Sequence, residues 1–111
     1  MDFLSVLREA NITRNEEYRA KTGGKKLPVL FRSTELAGEV GELLNVIKKL
    51  ERERLGWSGR RATMEDLKGE FGGVMVCLDL LAMEYGIDLL EVAMDEFNSV
   101  SDRLSLETKI G

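Results

Sequence analysis

The sequence predicts an all-α fold, a bundle of four helices joined by short loops. Apolar residues recur at steps of three and four along four segments, the spacing that gathers side chains on one face of a helix. The 111 residues contain one proline, and no segment alternates apolar and polar residues as a half-buried strand would. A chain of this length is expected to form a single domain, residues 1–111, with a modest core.

The first predicted helix spans residues 2–21, with a break near residues 11–13 as an alternative. A loop follows over residues 21–28 (KTGGKKLP), which contains a glycine pair and the proline, both typical of loops. The apolar face of this helix is expected to consist of Phe3, Leu4, Val6, Leu7 and Ile12.

The second predicted helix runs from Thr34 to about Arg54 and is the central element of the chain. Ser33 or Thr34 is expected to cap it, with Glu35 in the first turn, where an acid complements the helix dipole. Its last turns are basic, which suits the opposite end of the dipole. Its apolar stripe consists of Leu36, Val40, Leu43, Ile47 and Leu50.

Two further helices complete the predicted bundle. Thr63 and Asp66 form the T-x-x-D pattern of a capping box, which indicates the start of the third helix, and Gly86 marks its end. Asp88 is expected to cap the fourth helix, which ends near Leu104 and is followed by a tail. The apolar sets are Leu67, Phe71, Val74, Leu78, Leu81 and Tyr85 in the third helix, and Leu89, Val92, Ala93, Phe97 and Val100 in the fourth.

The charge and hydropathy of the chain limit its partners. The net charge of −4 argues against a nucleic-acid partner, because proteins that bind nucleic acid usually carry a basic surplus. No stretch approaches the roughly 20 apolar residues that span a bilayer, and the N-terminal residues lack the apolar centre of a signal peptide. The sequence therefore predicts a cytoplasmic protein without a membrane partner.

The absence of histidine limits the chemistry of the chain. It excludes Ser-His and Cys-His catalysis, and it excludes metal sites built from imidazole. The single cysteine, Cys77, cannot form an internal disulfide and is expected to pack as a small core side chain. A bound metal would have carboxylate and carbonyl ligands, the hard oxygen donors that select magnesium, manganese or calcium.

Three glutamates border the apolar stripes of the second and third helices. Glu39 and Glu42 lie three residues apart, and Glu70 matches Glu39 when the two helices are aligned at an offset of 31 residues. The matching apolar surroundings of Glu39 and Glu70 predict that both point toward a common interior. Because like charges one turn apart repel, three converging acids are expected to hold one or two magnesium ions. The alternative is a solvated acidic face paired with lysines. Asp79 falls away from this flank and is expected to be exposed or at a subunit contact.

The acids and their surroundings resemble a known family. EVGE (residues 39–42) followed by EFGGV (residues 70–74) resembles the MazG-like, all-α nucleoside triphosphate pyrophosphatases, whose hallmark is two acids three apart on one helix and E-x-x-D on the next. The surrounding segments ELAGEVGELLNVIKKLERERLG, VCLDLLAMEYGIDL and FNSVSDR also fit. The resemblance covers residues 33–103 and implies a MazG-like bundle.

The resemblance also implies a helical homodimer or homotetramer that hydrolyses a nucleoside triphosphate with Mg²⁺, or with Mn²⁺ as the alternative ion. Glu39 and Glu42 match the first acid pair and Glu70 matches the first residue of E-x-x-D, so these three are the predicted catalytic and metal-binding residues. Gly73 stands where the final aspartate is expected. Asp66, one turn before Glu70, is a candidate substitute ligand, and its counterpart Glu35 or a water molecule are the alternatives.

Five further residues are candidates for substrate binding. Lys49, Arg60 and Arg61 could neutralise a triphosphate, although the same charges also suit a helix end beside local acids. Trp57 could stack on a base, but a contact that anchors its loop is favoured. Asn98 matches a family position near the substrate pocket, and its alternative is an ordinary surface residue.

The predicted function is that of a magnesium-dependent nucleoside triphosphate pyrophosphohydrolase of house-cleaning type, which releases a monophosphate and pyrophosphate. The alternative, favoured by Gly73, is a catalytically weakened or degenerate member that acts as a nucleotide-binding or protein-interaction module. A third hypothesis is a purely structural bundle whose acids are surface charge. In each case dimerisation is expected to cover the apolar surface that four short helices leave open.

Overall fold

Residues 2–111 form four α-helices, which confirms the predicted all-α class. The computed structural model describes residues 2–111, and within this range it contains no strand. The helices are α1 (Phe3–Lys21), α2 (Val29–Arg54), α3 (Met64–Glu84) and α4 (Leu89–Arg103).

Helix α1 is continuous from its cap to its end. The carboxylate of Asp2 accepts a hydrogen bond from the backbone N–H of Ser5 at 2.9 Å, which satisfies one of the free donors of the first turn. The alternative break near residues 11–13 does not occur. Asn11 is buried within the helix, and its side-chain amide donates to the carbonyl of Val76 at 3.4 Å in α3.

Helix α2 begins five residues before the predicted start, and its cap is not the predicted one. Pro28, with φ of −69°, is the N-cap residue, and no side chain caps the helix. Proline suits a helix start because its φ is preset and it has no N–H to leave unpaired. Ser33 and Glu35 therefore lie inside the helix, where the hydroxyl of Ser33 donates to the carbonyl of Leu30 at 3.0 Å.

The predicted caps of α3 and α4 are confirmed. The backbone N–H of Thr63 donates to the Asp66 carboxylate at 2.8 Å, and the N–H of Asp66 donates to the Thr63 hydroxyl at 3.1 Å. Gly86, with φ of +65°, follows the end of α3 in the left-handed conformation that glycine favours. The carboxylate of Asp88 accepts from the N–H of Glu91 at 3.2 Å and caps α4.

Helices α2 and α3 form the main packing unit and run antiparallel. Arg32 near the start of α2 lies opposite Glu84 at the end of α3, with Nε and Oε1 3.6 Å apart. Glu39, farther along α2, lies against Gly73, which is earlier in α3. Helix α1 packs on α3 beside this pair, so residues that are far apart in sequence meet along the length of α3.

Helix α4 joins the other helices through its first turns. Leu89, Val92 and Ala93 share an apolar cleft with Leu4 of α1 and Met75 of α3.

The fold is open for its size. Its radius of gyration is 17.7 Å, whereas about 13 Å is typical of a compact domain of this length. Its accessible surface is 8132 Å², whereas roughly 6,200 Å² is expected for a compact monomer of this mass. Within residues 2–111, few hydrophobic residues are buried, namely Val46, Ala62, Cys77 and Ala82. The predicted apolar stripes are thus only half covered by the chain itself.

No helix within residues 2–111 has the length and apolar character that crossing a membrane requires.

Candidate metal centre

Three glutamates from α2 and α3 converge on one side of the bundle. A carboxylate oxygen from each of Glu39, Glu42 and Glu70 lies within 4.8 Å of the other two. Glu39 and Glu70 are half-buried, and Glu42 is exposed. The structure therefore brings together the three acids that the sequence singled out, and their carboxylates could share one divalent cation.

The antiparallel packing of α2 and α3 explains this convergence. Glu39 and Glu42 lie one turn apart, so both reach the same flank of α2. Gly73 of α3 faces this flank: a Cβ atom at Gly73 would lie 2.6 Å from Oε2 of Glu39 and 3.3 Å from its Cδ. The absence of a side chain at Gly73 thus allows the Glu39 carboxylate to approach the backbone of α3.

The acid cluster (Glu39, Glu42 and Glu70) favours the protonated form of one of its members, Glu70. The pKa of Glu70 is raised above its ordinary value of 4.5, first by the loss of solvent and then by the negative charges of Glu42 and Glu39. A hydrogen bond with Glu42 and the charge of Asp66 act in the same direction. The cluster therefore disfavours full ionisation, and a cation bound among the three carboxylates would relieve this repulsion.

The raised pKa predicts how stability depends on pH without metal. The folded state holds the Glu70 proton more tightly than the unfolded state, so this group stabilises the fold below pH 4.5, and the contribution is lost as pH rises through the raised pKa. The variant Glu70→Gln cannot ionise. We expect it to melt at a higher temperature than wild type at about pH 7 in EDTA, with the difference vanishing at about pH 4.

Circular dichroism melts at the two pH values test this prediction. Glu65→Gln is the matched control, because Glu65 lies exposed in the first turn of the same helix. A melting temperature for Glu70→Gln equal to or below that of wild type at about pH 7 would contradict the proposed repulsion within the cluster.

Cys77 is buried beside the acid cluster, as predicted for a small core side chain. Burial raises the pKa of its thiol to about 11, and the charges of Glu35 and Glu39 add to the shift. The thiol is therefore protonated at neutral pH, so Cys77 is not a ready nucleophile.

Asp66, a candidate substitute ligand, is already hydrogen-bonded in the capping box at the start of α3. Its hydrogen bonds from the backbone and the hydroxyl of Thr63 lower the pKa of its carboxyl, and the positive charge of Lys49 acts in the same direction. Asp66 lies close enough to raise the pKa of Glu70 but is not one of the three converging acids. Lys49 therefore lies close enough to Asp66 for its charge to act on that carboxyl, and its role in substrate binding stays a prediction.

The other basic and aromatic candidates lie in the loop between α2 and α3. Arg60 and Arg61 are exposed, and Arg61 Nη1 pairs with Glu53 Oε1 at 2.7 Å. Trp57 is 67% exposed. It lines an apolar groove together with Leu44, Ile47 and Leu55 of the α2 end. The structure places none of these three loop residues among the converging carboxylates.

Asn98 holds the C-terminal tail. Its side-chain Nδ2 donates to the carbonyl of Ile110 at 2.9 Å, and its Oδ1 accepts from the N–H of Ile110 at 2.8 Å. Lys109 also pairs with Asp102 of α4. In this arrangement the amide of Asn98 is satisfied by the chain itself, so its predicted role in substrate binding would require the tail to move.

The expected exposure of Asp79 is wrong, because its side chain is only 1% exposed in the monomer. Arg8 Nη2 donates to Asp79 Oδ1 at 3.0 Å, and Arg8 Nε lies 3.1 Å from Oδ2. The amide of Asn11 also donates to Oδ2 at 2.9 Å. Buried charge must be paired, and α1 supplies the partners that the local sequence of α3 does not show.

Sequence reasoning also missed a buried arginine. Arg32 is 6% exposed and lies between the carboxylates of Glu35 and Glu84. Its Nη2 donates to Oδ1 of Asn15 in α1 at 2.7 Å. Arg32 precedes the predicted helix start at Thr34, so its sequence position gave no indication that it would be buried.

Comparisons of the chain with protein-family models, with curated proteins and with solved structures found no match.

Proposed function

We propose that the protein is a divalent-metal-dependent nucleoside triphosphate pyrophosphohydrolase of the MazG-like type. The observation that carries the proposal is the convergence of Glu39, Glu42 and Glu70 from two antiparallel helices, with carboxylate oxygens within 4.8 Å of one another. The motif resemblance over residues 33–103 supplies the reaction type.

The donor set fits magnesium, with manganese as the alternative. Magnesium prefers carboxylate oxygens and keeps several waters, so three glutamates leave positions for the oxygens of a phosphate chain. Lys49 near the cluster would add positive charge for the same chain. No imidazole or thiolate competes for the site, because the chain has no histidine and Cys77 is buried and protonated.

The proposed reaction transfers the α-phosphoryl group to water. The oxygen of a water molecule forms a bond to the α-phosphorus, the bond from that phosphorus to the oxygen bridging to the β-phosphate breaks, and pyrophosphate leaves. When bound, the metal ion supplies charge neutralisation and lowers the pKa of water. Glu39, Glu42 and Glu70 would hold the ion, and one of them would take the proton of the attacking water.

A nucleotide panel tests the proposal. Pyrophosphate release is measured from ribo- and deoxynucleoside triphosphates, with Mg²⁺, with Mn²⁺ and with EDTA. We expect release that depends on the metal and yields the monophosphate. Release of orthophosphate instead, or no turnover of any triphosphate with either ion, would rule the activity out.

The alternative is a nucleotide-binding or protein-interaction module without efficient turnover. Gly73 favours it, because this position offers no fourth carboxylate and the carboxylate of Glu39 lies beside it. Metal-dependent nucleotide binding without hydrolysis would support this reading. If no nucleotide bound and no metal bound, the acids would be surface charge on a structural bundle.

The variant Gly73→Asp is predicted to strengthen the site. The end of the Glu39 side chain must shift, because a Cβ at this position would lie 2.6 Å from Oε2. A carboxylate side chain is flexible enough to do so, and the aspartate then adds a fourth acid. We expect metal to bind about tenfold more tightly and turnover to rise, as measured by calorimetric titration and pyrophosphate release.

Gly72→Asp is the matched control for this variant. It introduces the same residue at the neighbouring position, where a Cβ would meet no atom within 4 Å. Both changes replace a mid-helix glycine by aspartate, so the gain of roughly 0.3 kcal/mol in helix propensity is shared. Equal metal affinity in the two variants would show that position 73 does not border the metal site.

A homodimer or homotetramer is part of the proposal. The accessible surface of 8132 Å² exceeds the surface expected for a compact monomer by roughly 1,900 Å². A standard interface buries about 800 Å² on each partner. The half-covered apolar stripes therefore suit association with a second copy, and sedimentation equilibrium would measure the mass. The cytoplasmic location, and the expectation of no nucleic-acid or membrane partner, stay predictions from the sequence.

A further inference from the structure

An apolar groove of about 410 Å³ lies at the C-terminal end of α2. Its floor consists of Leu44, Ile47, Leu55 and Trp57. Each of these four residues is between 42% and 67% exposed. Single exposed apolar side chains are normal on a protein surface, whereas several gathered in one concave patch mark a docking site. This groove, which we call the Trp57 groove, is therefore a candidate interaction surface.

The rim of the Trp57 groove is polar and carries unpaired positive charge. It contains Lys48, Glu51 and Arg52. Glu51 is already paired with Arg54. Within residues 2–111, neither Lys48 nor Arg52 forms an ion pair. The groove thus suits a partner that presents an apolar stripe bordered by an acid.

The C-terminal half of α4 with its C-cap, residues 96–104, has this character. Phe97, Val100 and Leu104 recur at positions i, i+3 and i+7, so they share one face of the helix. Phe97 is 43% exposed and Leu104 is 58% exposed. Glu96, one turn before Val100, is exposed at the border of this stripe. Anchors at this spacing are typical of an amphipathic helix that binds in an apolar groove.

Segment 105–111 leaves this stripe open. Asn98 and Asp102 hold the segment on α4. With 3.6 residues per turn, both lie at least about 100° around the helix axis from the apolar stripe. The stripe is thus available to another molecule while the segment stays in place.

Charge and surface area both favour a second copy of the chain as the partner. Residues 44–57 carry four basic and two acidic side chains, whereas residues 88–104 carry five acidic and one basic. The accessible surface of 8132 Å² exceeds that of a compact monomer by roughly 1,900 Å². Each partner in a standard interface buries about 800 Å². Two copies therefore have both the complementary charges and the surface that a stable pair needs.

We propose that the Trp57 groove binds the C-terminal half of α4 from a second copy of the chain. Phe97 and Leu104 of one copy contact the apolar floor of the other, and there Glu96 pairs with Lys48. Because each copy carries one groove and one α4, the contact is made twice and the pair closes with two-fold symmetry. The assignment rests on the homodimer of the proposed function, but it needs neither metal nor nucleotide.

Two opposite charge reversals test this contact. Lys48→Glu leaves like charges at both contacts of a pair, and so does Glu96→Lys. We expect each variant alone to dimerise at least about tenfold more weakly than wild type, because like charges across an interface repel. In an equimolar mixture, both contacts of the mixed pair join opposite charges, so we expect an affinity within about threefold of wild type. Sedimentation equilibrium in EDTA measures the dissociation constants.

Matched controls separate the contact from a general effect of net charge. Lys26→Glu and Glu16→Lys make the same changes at exposed positions outside the proposed contact. We expect them to alter dimerisation by less than about twofold, separately or mixed. A mixture of Lys48→Glu and Glu96→Lys that associates no better than the separate variants would overturn the proposal. Circular dichroism melts check that each variant retains the fold.

Trp57 reports directly on the groove, because it is the only tryptophan of the chain. We expect its fluorescence emission to move to shorter wavelength as the dimer forms, since the second copy displaces water from the indole. Phe97→Ala should weaken dimerisation by at least about tenfold. Phe3→Ala, at an exposed position of α1, is the matched control and should leave it unchanged. Dimerisation without a change in Trp57 emission would contradict the proposed contact.

The outcomes separate this contact from the proposed function. A wild-type dimer whose dissociation constant is unaffected by Lys48→Glu and Glu96→Lys would overturn the contact and leave the homodimer in place. A chain that stays monomeric at every concentration would overturn both. Because association is measured in EDTA without nucleotide, neither result depends on whether the chain releases pyrophosphate.

Discussion

Glu39→Gln is expected to abolish both the stabilisation of the fold by Mg²⁺ and any turnover. Glu39 is the half-buried member of the cluster that lies against Gly73, so its carboxylate is held between α2 and α3. Glutamine has the same shape but no charge, and it is a poor ligand for magnesium. Mutation of a residue that only hydrogen-bonds a metal ligand typically lowers metal affinity or activity by about 10–100-fold. Loss of a direct ligand should therefore lower turnover by more than about 100-fold.

Thermal unfolding with and without Mg²⁺ measures the loss independently of activity. An ion present at about 100 times its Kd stabilises the folded state by roughly 2.7 kcal/mol, and this gain should disappear in the variant. Glu96→Gln, at an exposed position of α4, should retain it. If Glu39→Gln kept the full stabilisation and turnover, Glu39 would not be a ligand.

Arg8→Ala is expected to produce the largest loss of stability among single substitutions in α1. It would leave the Asp79 carboxylate buried with only the amide of Asn11 as a partner, and it would also remove the hydrogen bond from Arg8 Nη2 to the carbonyl of Ile87 at 2.6 Å. Breaking a buried pair from one side costs about 3–5 kcal/mol, because the remaining charge is uncompensated. Urea unfolding followed by circular dichroism measures this difference.

Two controls define the origin of this loss. Arg54→Ala breaks the exposed pair with Glu51 on α2 and should cost far less than Arg8→Ala, because solvent screens an exposed ion pair. The double variant Arg8→Met with Asp79→Leu removes both charges and should be more stable than Arg8→Ala alone. A cost for Arg8→Ala as small as that for Arg54→Ala would mean that water solvates Asp79 in the folded protein.

The helices and the acid cluster were predictable because their signals are local. The capping box of Thr63 and Asp66 marks the start of α3 through contacts within one turn, and Asp88 marks the start of α4 in the same way. Glu39, Glu42 and Glu70 were singled out because each borders an apolar stripe. Helical periodicity then places them on inward flanks, whichever details of packing follow.

The start of α2 and the environment of Asp79 were not predictable in the same way. Pro28 can open a helix or sit in a loop, and the contacts of Arg32 with Asn15 and Glu84 favour the helix only once α1 and α3 are in place. Asp79 was expected to be exposed or at a subunit contact because it falls away from the flank of α3 that carries Glu70. Its partner is Arg8, 71 residues away in the sequence.

The sequence by itself determined the all-α class, the extent of most helices, and the face of each helix on which its acids lie, since these depend on residues within a few turns. Tertiary structure alone decided that Arg8 meets Asp79, that Arg32 lies between Glu35 and Glu84, and that the Glu39 carboxylate lies against Gly73. These contacts depend on which helices pack against each other and on their relative shift along the helix axes. The packing between α1, α2 and α3 sets both, and the periodicity of apolar residues within a single helix carries no information about either.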